Sequence, residues 1–323
     1  MRAIVQKDVG RLVCREVPEP EPKRDEVKIK VACCGVCGSD IHSYQGIIPM
    51  EIHPFIPGHE FTGTVVAVGS EVRNFKVGDR VTAQPFRTAD SLCIVGVHCD
   101  GAMAEYVCME EKYTFHLPDC ISFEDGTLIE PACVSGHAVL DYADLRPADD
   151  VAVIGGGAIG MMAALVAKAC GARVFLIGRT TSADRLELGR RLGVDATFMS
   201  DKDDVYQAIM DLTGGKGVRV CFETGGSAQS IGQALSLVGQ RGKLIELALT
   251  SPGGIHIEQF GDIVQKEITV QGSNCSLWEN WPRIIDMLAQ GRLNFDGIIT
   301  QKYAMEDCVA AFETRGMKNI ICP

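Results

Sequence analysis

Three short stretches of the chain carry side chains that bind metals: Cys37-Gly-Ser39-Asp40-Ile-His42, Gly58-His59-Glu60 and Glu130-Pro131. A thiolate, an imidazole and a carboxylate are what a catalytic zinc takes from a protein, with a fourth position left for water or substrate. Taken singly, each residue has a plainer role. A cysteine can be a small buried hydrophobe, a histidine a satisfied polar group, and a glutamate before proline a first-turn helix residue. A second kind of chemistry is written in Gly155-Gly-Gly157-Ala158-Ile159-Gly160, which matches G-x-G-x-x-G. It directly follows the short apolar run Val151–Ile154 and opens a segment of helical composition, the context in which such a turn cradles a dinucleotide pyrophosphate.

About twenty residues beyond such a cradle, a carboxylate at the end of the next strand ordinarily accepts from the adenosine ribose. Here the sequence is Ile177-Gly178-Arg179-Thr180-Thr181-Ser182, so Gly178 stands in the acidic position and a guanidinium with three hydroxyls follows. A 2′-phosphate meets no like charge there and finds a charged donor, which favours NADP over NAD. The alternative is an arginine exposed in a helix-entry loop, with Thr or Ser capping the helix.

These residues need positioning elements, and the two parts of the chain supply different ones. Up to about residue 125 the sequence reads as β-rich, with alternating runs such as Val27–Val31 and Thr62–Val68 set between glycine turns. From Asp150, short apolar strands at Val151–Ile154, Arg173–Ile177, Val218–Phe222, Lys243–Leu247 and Ile268–Gln271 alternate with helical segments at Ala158–Gly171, Ala183–Leu192, Val205–Leu212 and Ser230–Val238. That alternation predicts an α/β fold with a doubly wound parallel sheet. One further helix is expected from Trp281 to Gln290.

Composition sets the bounds. The 323 residues are 46% hydrophobic and 23% charged, which is globular, and suffice for two domains. With 31 Lys+Arg against 42 Asp+Glu the net charge is −11, so nucleic acid and anionic membranes are poor partners. The longest apolar run, Val151 to Ala167, is glycine-broken and too short to span a bilayer. No apolar targeting segment opens the sequence, so a cytoplasmic location is expected, with the fourteen cysteines as thiols.

In order along nearly the whole chain, the segments Cys37-Gly-Ser-Asp-x-His42, Pro57-Gly-His-Glu60, Val77-Gly-Asp-Arg80, Gly96-Val-His-Cys-Asp-Gly101, Ile129-Glu-Pro131 and the glycine cradle resemble the zinc-containing medium-chain alcohol dehydrogenases, most closely their polyol, threonine and sugar-acid branch. The resemblance implies Cys37, His59 and Glu130 as zinc ligands, with Glu60 an adjacent carboxylate able to exchange onto the metal and Asp40 orienting a ligand imidazole. It assigns Ser39 and His42 to a proton relay. It also implies cofactor contacts at Thr224, Gly225, Gly272 and Ser273, although glycine turns leaving parallel strands explain those segments equally well.

The chain departs from the family where many members bind a structural zinc with four closely spaced cysteines, because residues 81–95 hold Cys93 alone. One zinc per chain is therefore expected. Cys34-Gly-Val-Cys37 also has redox spacing, a role ranked below the ligand role of Cys37. The resemblance implies a GroES-like, partly open β-barrel built from residues 1–131 and 275–323, which carries the zinc. It implies that residues 132–274 form the dinucleotide domain, with the active site expected in the cleft between. The expected activity is hydride transfer between a secondary alcohol and NADP or NAD, in a homodimer or homotetramer. The rival readings are a zinc-free enone or quinone reductase of the same fold and a cofactor-binding protein without catalysis. Tyr44, Ile47, Phe55 and Trp278 are candidates to line the substrate pocket.

Overall fold

The computed structural model describes residues 1–47, 54–86, 93–250 and 254–323. Its strands, in chain order, are β1 (Arg2–Asp8), β2 (Arg11–Glu16), β3 (Glu26–Gly35), β4 (Glu60–Val68), β5 (Arg80–Ala83), β6 (Tyr106–Glu110), β7 (Thr114–His116), β8 (Asp150–Ile154), β9 (Arg173–Gly178), β10 (Ala196–Met199), β11 (Val218–Glu223), β12 (Val238–Glu246), β13 (Thr269–Gly272), β14 (Ile299–Tyr303) and β15 (Lys318–Ile321). They fall into two compact units. One comprises Met1–Glu130, Trp281–Ala289 and Gly297–Pro323; the other comprises Pro131–Asn280 and Gln290–Asp296.

The first unit is built around β3, whose alternating Val27, Ile29 and Val31 enter the core while its backbone serves three partners. It pairs antiparallel with β4, β6 and β15 in a sheet of order β14-β15-β3-β4-β5-β7. The strand ends matter most for the site. Gly35 at the end of β3 lies opposite Glu60 at the start of β4, and on the other side opposite Ile320 of β15. Residues just beyond β3, just before β4 and early in β15 are thereby delivered to one end of the sheet.

The same register brings Cys322, next after β15, against Cys33, and the two form a disulfide with Cα atoms 4.3 Å apart. This corrects the expectation of fourteen thiols, since the pairing of the chain's last strand with β3 is a long-range contact that cysteine spacing does not reveal. The other twelve are free. The short C-terminal stretch is fully structured, with a helix at Cys308–Glu313 and then β15.

The second unit is a six-stranded parallel sheet of order β10-β9-β8-β11-β12-β13. Strand order reverses between β8 and β11, and at such a switch point ligands bind outside the carboxyl ends of the strands. Val151, Val153, Val174, Leu176 and Val220 are wholly buried, as strands covered on both faces require. Among the described residues, no helix is long and apolar enough to cross a membrane.

Candidate active site

At the sheet end where β3, β4 and β15 meet, the ligand atoms of Cys37, His59 and Glu60 lie within 4.8 Å of one another. Cys37 precedes the helix Gly38–Tyr44 and its N–H donates to Asp40 Oδ2 at 2.9 Å, so the first turn fixes the thiol's backbone. His59 and Glu60 are buried. A Cβ on Gly35 would sit 2.2 Å from Glu60 Oε2, so only glycine leaves room for that carboxylate.

Sequence reasoning missed Lys318. Its Nζ donates to both carboxylate oxygens of Glu60 at 2.7 Å and to the Val36 carbonyl at 3.3 Å, with the two side chains 4% and 1% exposed. Burial works against its charge, but Glu60 outweighs burial and the ammonium is pushed up to about 12. A lone lysine in a short terminal strand carries no motif, so only the pairing of β15 with β3 identifies it.

Glu130, in the first turn of the helix Ile129–His137, is buried in the same electrostatic environment. It does not join the close cluster of Cys37, His59 and Glu60. Burial pushes its carboxyl up to about 7, against the pull of His59. Burial also raises Asp40, whose Oδ1 stands 3.7 Å from His59 Nδ1. For His59 burial opposes the imidazolium, but Asp40 and Cys37 outweigh it and hold the ring well above its usual value.

The donor set fits a zinc ion. Cys37, Asp40, Glu60 and Glu130 place four acidic groups against the fixed charge of Lys318, and His59 Nδ1 is buried without a hydrogen-bond partner. A dication satisfies both the charge excess and the thiol–imidazole–carboxylate chemistry. Cys34, by contrast, is fully buried, and burial pushes its thiol well up, which suits packing and not redox exchange.

On the helix Gly38–Tyr44, Ser39 is half-buried and His42 exposed, three residues apart and so on one face. Two of the pocket candidates are packed away. Tyr44 is buried and its hydroxyl donates to Glu313 Oε1 at 2.9 Å, while Phe55 is buried opposite Gln6. Ile47 and Trp278 are exposed.

In the second unit the glycine turn follows β8 and opens the helix Ala158–Ala169. Gly155 has φ +117°, a conformation glycine adopts without strain, and a Cβ on Gly160 would sit 1.9 Å from the Gly155 carbonyl oxygen. A Cβ on Gly157 would meet nothing within 4 Å, so the cradle is open on that side. The helix has no side-chain cap, and the amides of its first turn, Ala158 and Ile159 included, present a positive helix end to an anion.

A pocket of about 400 Å³ next to the cradle is lined by Gly156, Gly178, Arg179, Ser182 and Gly225 among others. Thr224 is turned inward, its Oγ1 donating to the Ile154 carbonyl at 2.9 Å. The Gly225 amide is held by Glu223 Oε1 at 2.7 Å. Gly272 ends β13, and the next residue, Ser273, has a buried hydroxyl without a partner, a polar atom that a bound cofactor would satisfy. Thr180 differs from expectation. Both its amide and its hydroxyl donate to Asp201, at 2.8 and 2.6 Å, so neither is open for a phosphate.

Residues 23–119 match the alcohol dehydrogenase GroES-like domain and residues 158–290 the zinc-binding dehydrogenase domain. The chain is 34% identical over 309 residues to D-arabitol-phosphate dehydrogenase of Enterococcus avium, covering 91% of this chain and 88% of that protein. It is 33% identical over 331 residues to sorbitol dehydrogenase of Bacillus subtilis strain 168, covering 97% and 93%. A zinc-binding dehydrogenase of Sinorhizobium meliloti 1021, solved bound to NADP, superposes with a TM-score of 0.91 at 29% identity, covering 100% of this chain and 99% of that one.

Proposed function

Because this chain belongs to the zinc-containing medium-chain alcohol dehydrogenases and is an NAD(P)-dependent alcohol oxidoreductase, we propose that it oxidises a polyol-like secondary alcohol to a ketone with one zinc per chain and NADP as the preferred cofactor. The observation that carries this reading is the buried cluster of Cys37, His59 and Glu60. Cys37, His59 and a carboxylate from Glu60 or Glu130 would hold the ion. A zinc bound there supplies a Lewis acid that eases loss of the alcohol's proton.

The chain's own residues then manage that proton. Ser39 Oγ accepts it from the substrate hydroxyl and passes its own on, and the exposed imidazole of His42 hands it to water. A nicotinamide dinucleotide held at the glycine turn would supply the acceptor for the carbinol hydride, the overall change being alcohol and oxidised cofactor to ketone, reduced cofactor and one proton. Lys318 holds Glu60 by both oxygens and thus sets how readily that carboxylate reaches the metal. Gly178 and Arg179 favour the 2′-phosphate.

The sheet's edge strand β13 exposes Val270, with Phe260 and Val264 also exposed in the preceding segment, which supports a homodimer formed by a second copy. Twelve free thiols favour a reducing, cytoplasmic setting, with the Cys33–Cys322 disulfide pointing the other way. The test is turnover of a panel of polyols, sugar acids and simple secondary alcohols with each cofactor. Cofactor reduction by wild type and its loss in Cys37→Ser are expected, and a Cys37→Ser variant of unchanged rate would overturn the reading.

A further inference from the structure

We propose that Asp201 is a cofactor-specificity residue, the carboxylate that faces the adenosine ribose in place of the one missing at position 178 and that keeps the preference for NADP narrow. The inference rests on the proposed use of the pocket beside the glycine turn for the adenosine end of a dinucleotide. Position 178 cannot supply a carboxylate, since Gly178 ends β9 with no side chain. Asp201 reaches the same place from another strand. It lies two residues beyond β10, β10 pairs with β9 so that Met199 is opposite Gly178, and the Ser200 amide donates to the Gly178 carbonyl at 2.7 Å.

Its carboxylate is therefore set beside the loop that follows β9. Oδ1 accepts from the Thr180 amide at 2.8 Å and Oδ2 from the Thr180 hydroxyl at 2.6 Å, and both Asp201 and Arg179 line the 400 Å³ pocket. These two bonds hold the Asp201 carboxyl below the usual carboxylate range, and Arg179 adds to the effect.

Two consequences follow for a ligand in the pocket. Thr180 is already spent as a donor, so a 2′-phosphate gains Arg179 but not the threonine, and it meets the ionised Asp201 as a like charge. A 2′-hydroxyl meets no repulsion and finds in Asp201 an acceptor for its proton. Arg179 and Asp201 thus act in opposite senses on one position of the ligand, and the protein discriminates between the cofactors less than Arg179 alone dictates.

The experiment measures binding of ADP and of 2′,5′-ADP to purified protein by calorimetry at low ionic strength, without substrate or turnover. Asp201→Asn removes the charge and keeps one of the two oxygens that accept from Thr180, the amide nitrogen taking the place of the other. It is expected to tighten 2′,5′-ADP about tenfold while moving ADP less than threefold, and Arg179→Ala is expected to weaken 2′,5′-ADP alone. Equal shifts for the two ligands, or none, in Asp201→Asn would overturn the assignment. Failure of wild type to bind either ligand would instead remove the dinucleotide reading on which it rests, and measurable ADP binding by wild type keeps the two failures apart.

Discussion

Replacing Lys318 by methionine removes the ammonium that donates to both oxygens of Glu60, and the cost can be worked from the geometry. The pair is at 2.7 Å with both side chains almost fully enclosed. The lysine's pKa rises from 10.5 to about 12 in the folded chain. At ~1.4 kcal/mol for each factor of ten in proton affinity, that rise corresponds to about 2 kcal/mol of stability. Because the folded value is the higher one, that stability is fully present below pH ~10.5 and is lost as pH rises through about 12. Deleting the cation does more than forgo this, since it leaves a buried carboxylate unpaired, which costs about 3–5 kcal/mol.

The assay is urea unfolding of chelator-treated protein, read from the fluorescence of Trp281. That residue is wholly buried in the same unit and stacks on Phe115 with centroids 5.2 Å apart. Trp278, half exposed, is replaced by Phe so that one probe reports. Lys318→Met should lower stability by about 3–5 kcal/mol at pH 7, and Lys318→Met with Glu60→Leu should recover most of it. A loss below ~1 kcal/mol, the level of a surface pair, or a double variant as unstable as the single one, would refute the reasoning.

Cys37→Ser should reduce bound zinc at least tenfold and abolish turnover, checked by elemental analysis after dialysis. His42→Gln should slow turnover most at low pH, where the alcohol loses its proton least readily, with cofactor affinity nearly unchanged; identical pH–rate profiles would return His42 to a surface role. Gly178→Asp should reverse the cofactor preference in kcat/KM by one to two decades, roughly 1.5–3 kcal/mol. Its Cβ would lie 3.2 Å from Leu186 Cδ2, a flexible side-chain end that yields by a few tenths of an ångström. Equal specificity constants for NADP and NAD in wild type and variant would contradict the role given to this loop.

The parallel sheet was legible because all of its strands but one include a short β-favouring stretch bounded by turn signals. The exception, β10, reads Ala-Thr-Phe-Met and is half-buried at the sheet edge, so it shows neither alternation nor a continuous apolar run. Val238, expected as the end of a helix, opens β12 instead, because pairing with Val218 outweighs its place in the helical period. The motifs pointed to Cys37, His59 and Glu130 with Glu60 beside them, whereas the close cluster is formed by Cys37, His59 and Glu60.

What decides the site's electrostatics could not be read in this way. Lys318, Cys322 and Asp201 act through partners more than twenty residues away or across a sheet register, which a one-dimensional spacing does not encode. The loop expected to lack the structural metal site lies partly in residues 87–92, outside the described residues. Beside it, Cys93 and Cys99 have sulfurs 3.7 Å apart.

The most direct test is X-ray absorption at the zinc edge on purified, active protein. One zinc per chain is expected, with a single sulfur at ~2.3 Å and the remaining ligands nitrogen or oxygen at ~2.0–2.2 Å, and with the zinc signal itself lost in Cys37→Ser. Active protein without zinc, or zinc surrounded by two or more sulfurs, would contradict the assignment of Cys37, His59 and the neighbouring carboxylates as the catalytic metal site.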